Sequence, residues 1–344
     1  MQSALDANES NPRLSDAAGM TMNHGGLMKI AILDDYAGVA LEYGDWQGLG
    51  AVKVYRDTLP MGPDLIARLQ PFEVICVMRE RTPLPPALIE ALPNLRLIVT
   101  SGPRNGSIDL AAAKRAGILV CGTQSRKTTT SELTLLLMLA LNRQLLSNID
   151  TLKAGAWQGA QGRDLAGLKL GLVGLGNIGA QMAKLGRALG MEICAWSQNL
   201  TEARAQDCGA EHMGSLEALM EVSDVVSVHM VLSARSQGLI GAPEFAAMKP
   251  GAVFINTSRA GLVDHAALRA GLRVGRPAAA ALDVFDTEPL PLDDPLRDAE
   301  LMASGKLLLT PHLGYATEAT MRLFYRQMAE AVRAWQAGEV LRPL

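Results

Sequence analysis

Near the end of the chain, an arginine, a glutamate and a histidine each stand just beyond an apolar run. Arg259 follows Val253–Asn256 by way of Thr257 and Ser258. Glu288 follows Ala279–Val284 by way of Phe285, Asp286 and Thr287, and His312 follows Leu307–Thr310 and Pro311. If the runs are neighbouring strands of an open sheet, the three groups meet in the crevice beyond its carboxyl ends, where ligands of such sheets bind. A guanidinium can hold a carboxylate and polarise an adjacent carbonyl. An imidazole can give or take a proton near neutral pH. A carboxylate beside the imidazole orients it and stabilises its protonated form. This is the set needed to interconvert a 2-oxo acid and a 2-hydroxy acid. Asp283 and Asp286 are rival carboxylates; Asp283 falls inside the predicted strand, which gives it a supporting or cofactor-side role.

A second constellation lies upstream. Gly174-Leu175-Gly176-Asn177-Ile178-Gly179 follows the apolar run Leu170–Val173 and opens a helical pattern with Ile178, Met182, Leu185 and Leu189 on one stripe, stopped by Gly190. In this strand–turn–helix context the glycines have separate reasons. Gly174 permits the tight turn, Gly176 lets a pyrophosphate approach the backbone, and Gly179 allows close helix–strand packing. The helix N-terminus offers unpaired N–H groups and a partial positive charge to phosphate. The next predicted strand, Glu192–Trp196, ends in Ser197-Gln198-Asn199, with no acid for the ribose hydroxyls of NAD and no adjacent Arg or Lys. The missing carboxylate leans the reading toward NADP, with NAD the alternative. Gly174, Gly176, Asn177, Ile178, Gly179, Ser197, Gln198, Thr257 and Asp283 are the expected cofactor contacts.

Positioning these groups takes two α/β units. From Lys29 onward, short apolar runs (Ile30–Leu33, Val52–Tyr55, Val74–Met78, Leu97–Thr100, Ile118–Cys121) alternate with helical stretches such as Asp64–Leu69, Pro86–Leu92 and Leu110–Ala116. A second series begins with a helix that Thr129-Thr130-Ser131-Glu132 would open as a capping box. Its strands recur at Leu170–Val173, Glu192–Trp196, Val225–His229, Val253–Asn256, Ala279–Val284 and Leu307–Thr310. Such alternation predicts an α/β protein of two doubly wound parallel sheets. Linkers are expected near 122–128 and 314–317.

The bulk numbers agree. The 344 residues suit two domains, and 49% hydrophobic and 19% charged residues with net charge −3 give no basic footprint for nucleic acid. No apolar run reaches the roughly 20 residues that span a bilayer. Residues 1–27 are polar and lack the apolar segment of a secretory signal, so a disordered extension or a misassigned start before Met28, and a cytoplasmic location, are expected. Four scattered cysteines read as buried small hydrophobes in a reducing compartment. The five histidines show no metal-ligand spacing, so no metal is expected.

These motifs, with Ile255-Asn256-Thr257-Ser258-Arg259, Asp283-Val284-Phe285-Asp286-Thr287-Glu288-Pro289 and Thr310-Pro311-His312-Leu313-Gly314, resemble the D-isomer-specific 2-hydroxy acid dehydrogenase family from about Met28 to the C-terminus. The resemblance implies hydride transfer between NAD(P) and a D-2-hydroxy acid/2-oxo acid pair, with Arg259, Glu288 and His312 as the catalytic set. It implies a Rossmann-type cofactor domain (129–317), a discontinuous flavodoxin-like substrate domain (28–128 plus 318–344), and a homodimer built on the cofactor domains. By the same analogy Arg79 to Arg81 and the loop Ser101-Gly102-Pro103-Arg104-Asn105 face the substrate carboxylate, with Arg104 a second anion contact. Ala260 and Met230-Val231 depart from the family pattern. Phosphite oxidation, and a dinucleotide-sensing corepressor of the same scaffold, are the alternatives.

Overall fold

The structure, a computed structural model, describes residues 27–344. The expected N-terminal extension lies, apart from Leu27, outside the described residues. The chain forms two compact units. Among the described residues, one takes in 27–125 together with Arg322–Leu344; the other is Arg126–Met321.

The first unit carries five parallel strands: β1 (Lys29–Ile32), β2 (Ala51–Val54), β3 (Val74–Val77), β4 (Leu97–Thr100) and β5 (Leu119–Gly122). They lie in the order β2-β1-β3-β4-β5. β3 and β4 are buried at every residue, as helices on both faces of a parallel sheet demand, and this is why they read as unbroken apolar runs rather than alternation. The chain returns to this unit at its end. Within the helix Glu318–Gln336, Tyr325 donates to Asp35 Oδ1 at 3.0 Å. The final residues pair antiparallel with β5 at Cys121 and Pro343.

The second unit carries β6 (Lys169–Val173), β7 (Glu192–Trp196), β8 (Glu211–His212), β9 (Val225–Val228), β10 (Val253–Asn256), β11 (Ala279–Leu282) and β12 (Leu307–Leu309). All are parallel, in the order β12-β11-β10-β9-β6-β7-β8. β8, two residues long and exposed, escaped the sequence reading because it has no apolar signature. Successive residues of the central strands point to opposite faces. Phe254 joins Val228, Leu282 and Phe245 on one side, while Val253 and Ile255 join Leu172, Val225 and Ala281 on the other. Phe245 and Phe254 meet edge to face, 5.2 Å between centroids. Burying each such side chain contributes roughly 1.5–3 kcal/mol.

The helix Thr129–Asn142 forms, but not through a capping box. Thr128 occupies the N-cap without a side-chain bond, and Thr129 is already helical and buried. The first turn is held instead by Ser131, whose hydroxyl lies 2.7 Å from Thr128 O and 2.8 Å from Gln181 Oε1. Tertiary contact replaces the local cap. Among the described residues no helix is long and apolar enough to cross a membrane.

Candidate active site

Parallel neighbours place the carboxyl ends of β10, β11 and β12 side by side on one edge of the second sheet. The three chemical groups read from the sequence emerge there. After β10, Asn256 organises the turn: its Nδ2 donates to Arg259 O at 2.9 Å, and its Oδ1 accepts from Ser258 N at 2.9 Å. Thr257 is buried against Thr134, hydroxyl to hydroxyl at 2.7 Å. Arg259 thereby begins a short 3-10 turn, Ala260–Leu262, with extended backbone.

His312 and Glu288 are paired. The imidazole Nδ1 lies 2.7 Å from Glu288 Oε2 and 2.9 Å from Oε1, with both side chains part-buried. Glu288 Oε1 also accepts from Phe285 N at 2.9 Å, which fixes the carboxylate. Asp286, the rival acid, lies elsewhere, with Oδ2 3.4 Å from His265 Nδ1.

Asp283 has a role that spacing did not reveal. Fully buried at the end of β11, it accepts from Thr310 Oγ1 and Leu313 N at 2.7 Å through Oδ1, and from Gly314 N at 2.8 Å through Oδ2. These bonds clamp the loop that carries His312, whose φ of +51° is the left-handed conformation that costs a non-glycine residue about 1–2 kcal/mol. Burial pushes the Asp283 carboxyl above the usual carboxylate range, against the opposing pull of the Thr310 hydroxyl and the loop amides.

The glycine turn sits at the end of β6. Gly174 has φ +102°, and a Cβ there would meet the His229 carbonyl at 2.8 Å. A Cβ on Gly179 would collide with Gly174 O, whereas one on Gly176 would meet nothing within 4 Å. Two glycines are thus required by the fold, and the third borders open space at the N-terminus of the helix Asn177–Ala188. That open cradle, with Asn177 and Ile178 in the first turn, fits a dinucleotide pyrophosphate. Sheet order reverses between β6 and β9, so the cradle lies at the topological switch point. Ser197 and Gln198 form the tip of β7, beside the turn: Gly174 N donates to Trp196 O at 2.8 Å. His229, after β9, is held neutral by desolvation, its pKa lowered to about 4.

In the first unit, Arg79 also has a left-handed φ, +52°. Its N–H donates to Ser101 Oγ at 2.7 Å, and its carbonyl accepts from Asn105 Nδ2 at 2.6 Å. Gly102 has a left-handed φ of +89° and lies against the Arg79 guanidinium, and its N–H donates to Thr123 Oγ1 at 2.7 Å. Arg79, Ser101 and Gly102 therefore form one loop cluster, while Arg104 is exposed. Asn105, expected only as a member of the loop, is buried and holds it by donating to Arg79 O and Thr100 Oγ1; an Asn in a Gly/Pro-containing segment reads as turn chemistry.

Comparison with known proteins agrees with this architecture. Residues 135–314 match the model of the D-isomer specific 2-hydroxyacid dehydrogenase family, NAD binding domain. A hydroxypyruvate reductase of Thermotoga maritima is 34% identical over 272 residues, covering 78% of this chain and 87% of that protein. A D-3-phosphoglycerate dehydrogenase of Archaeoglobus fulgidus is 32% identical over 293 residues, 84% of this chain; the chain spans about half (54%) of that relative's length. Among solved structures, a phosphoglycerate oxidoreductase from Vibrio cholerae superposes with a TM-score of 0.83 at 35% identity, covering 90% of this chain and 99% of the other. A D-lactate dehydrogenase from Aquifex aeolicus, solved with NAD and lactic acid, gives 0.75 at 26% identity, covering 90% and 96%. This chain belongs to the D-isomer specific 2-hydroxyacid dehydrogenase family, and its second unit contains that family's NAD-binding domain.

Proposed function

We propose that this chain is an NAD(P)-dependent D-2-hydroxyacid dehydrogenase with Arg259, Glu288 and His312 as its catalytic set. The observation that carries the reading is the Glu288–His312 pair, 2.7 Å from carboxylate to Nδ1, at a strand end two places from the turn that bears Arg259. With Nδ1 held by the glutamate, Nε2 is the ring nitrogen that handles the substrate proton. A bound nicotinamide supplies or accepts the hydride. In reduction, Arg259 holds the 2-oxo acid carboxylate and polarises the neighbouring carbonyl. As C2 gains hydride, the developing alkoxide takes the proton from imidazolium Nε2, leaving neutral His312 and the 2-hydroxy acid. Glu288 stabilises the imidazolium before transfer; the reverse reaction uses neutral His312 as base.

Gly174, Gly176, Asn177, Ile178, Gly179, Ser197, Gln198, Thr257 and Asp283 are assigned to the cofactor side, Asp283 through the His312 loop it clamps. Arg79, Ser101 and Gly102 are assigned to substrate, with Arg104 as a further anion contact. The acids named for the relatives, hydroxypyruvate, phosphoglycerate and lactate, belong among the substrates to try. The assembly proposed is a homodimer formed through the second unit.

The test follows nicotinamide absorbance with purified protein, using NADH or NADPH with glyoxylate, hydroxypyruvate, pyruvate and phenylpyruvate, and the oxidised dinucleotides with D-lactate and D-3-phosphoglycerate. Turnover with at least one acid is expected. Loss of an aligned general acid typically costs about 10²–10⁴-fold, so His312→Ala should fall by that order, and Arg259→Ala should lose comparable kcat/KM. Absence of turnover with every acid, despite measurable dinucleotide binding, would overturn the assignment.

A further inference from the structure

The tip of β7 carries no acid and no cation of its own, yet an arginine from another strand is brought to it. The loop after β9 doubles back on itself. Ser233 N donates to Ser236 Oγ at 2.8 Å, and Ser236 Oγ donates to Val231 O at 2.8 Å. Ser258, from the turn after β10, anchors one side by donating to Met230 O at 2.6 Å. On the other side Gln198, at the tip of β7, donates from Nε2 to Arg235 O at 3.1 Å. β6 lies between β7 and β9, and its glycine turn is tied to both: Gly174 N donates to Trp196 O, and His229 N donates to Val173 O, each at 2.8 Å. The phosphate cradle is therefore flanked by two arms, and Gln198 bridges them at Arg235.

Arg235 is exposed, and among the described residues its guanidinium has no hydrogen bond or ion pair. The nearest acid in sequence to the β7 tip, Glu202, opens the following helix, and its Oε1 accepts from Gln206. In sheets of this kind a dinucleotide whose pyrophosphate sits on the first helix puts its adenosine ribose at the tip of the second strand, where a carboxylate selects the free 2′-hydroxyl and a nearby Arg accommodates a 2′-phosphate. Here the carboxylate is missing, and the backbone of Arg235, in the loop after β9, is hydrogen-bonded to the tip.

The geometry points to Arg235, steered by Gln198, as the residue that recognises the 2′-phosphate of NADP(H) and sets dinucleotide preference. This rests on the dehydrogenase reading above. A charge-assisted contact between guanidinium and phosphate is among the stronger polar contacts. The test is equilibrium titration of the full-length chain, without substrate, by NADPH and NADH, read by nicotinamide fluorescence. A parallel titration compares adenosine 2′,5′-bisphosphate with AMP. NADPH should bind about tenfold or more tightly than NADH, and the bisphosphate should outbind AMP in the same sense. Arg235→Ala should remove most of that ratio by weakening NADPH alone, with the thermal midpoint unchanged. Gln198→Asp, which places an acid at the tip, should invert the preference. Equal affinities for the two dinucleotides in the wild type, or a ratio untouched by Arg235→Ala, would overturn the inference while leaving the dehydrogenase intact. Failure of both dinucleotides to bind would overturn it together with the reading it rests on.

Discussion

In the reaction we propose, His312 has to be aimed, and two carboxylates with different tasks hold it and its loop. Glu288 holds the ring, while Asp283 holds the loop, through three donors to one buried side chain. Removing Asp283 strands those donors at about 1–3 kcal/mol apiece and frees a backbone held at φ +51°. Asp283→Ala should therefore cost on the order of 3 kcal/mol, roughly 6–12 °C of thermal midpoint, and depress kcat; an unchanged midpoint would refute the clamp. His229 gives a second prediction at this scale. The folded state keeps its imidazole neutral down to about 4, while the unfolded chain takes up the proton near the ordinary value of about 6.5. The unfolded state then binds more protons across that window, so stability is lost as pH falls from about 6.5 to about 4. Denaturant midpoints measured at about pH 7 and about pH 4.5 should show a smaller drop for His229→Gln than for the wild type. Equal drops would assign the effect elsewhere.

The strand–turn–helix at β6 shows how one motif divides its demands. Gly179 is required because the helix starts against Gly174 O, and Gly176 only if something occupies the space beyond it. Gly179→Ala should lower both the melting temperature and dinucleotide affinity. Gly176→Ala should leave the melting temperature within about 1–2 °C, since its cost in the folded chain is small, yet weaken dinucleotide binding at least tenfold or so. Calorimetry and fluorescence titration on the same preparations separate the two, and a Gly176→Ala protein with unimpaired binding would place the pyrophosphate elsewhere. The helix Thr129–Asn142 makes a different point. Its apparent capping box is unused because Ser131 and Gln181 hold the first turn through tertiary contact, and local capping patterns carry no information about such partners.

At the scale of the whole molecule, the helix Leu145–Lys153 has no buried residue. Leu136, Leu145, Leu146, Ile149 and Leu152 are 38–58% exposed and Trp157 80% exposed. Clustered apolar exposure of this kind marks an interaction surface, and it is the surface on which the proposed homodimer would form. Sedimentation should give twice the chain mass for the wild type and a monomer for Leu152→Glu. A monomeric wild type would remove the dimer.

By itself the sequence determined the two parallel sheets, most strand positions and the glycine turn, and it singled out Arg259, Glu288 and His312 as candidates. Each of these depends on local period or on a short spacing, and parallel strands buried on both faces advertise themselves as apolar runs. The tertiary structure decided what sequence distance hides. It paired His312 with Glu288 across 24 positions and turned Asp283 from a strand residue into the clamp of the histidine loop. It also gathered Ser101, Gly102 and Asn105 around Arg79, and tied the backbone of Arg235 to the tip of a strand 37 positions away. The physical reason is that hydrogen bonds and charge contacts depend on distances of a few ångströms in space, and only the sheet order determines which strand ends are neighbours.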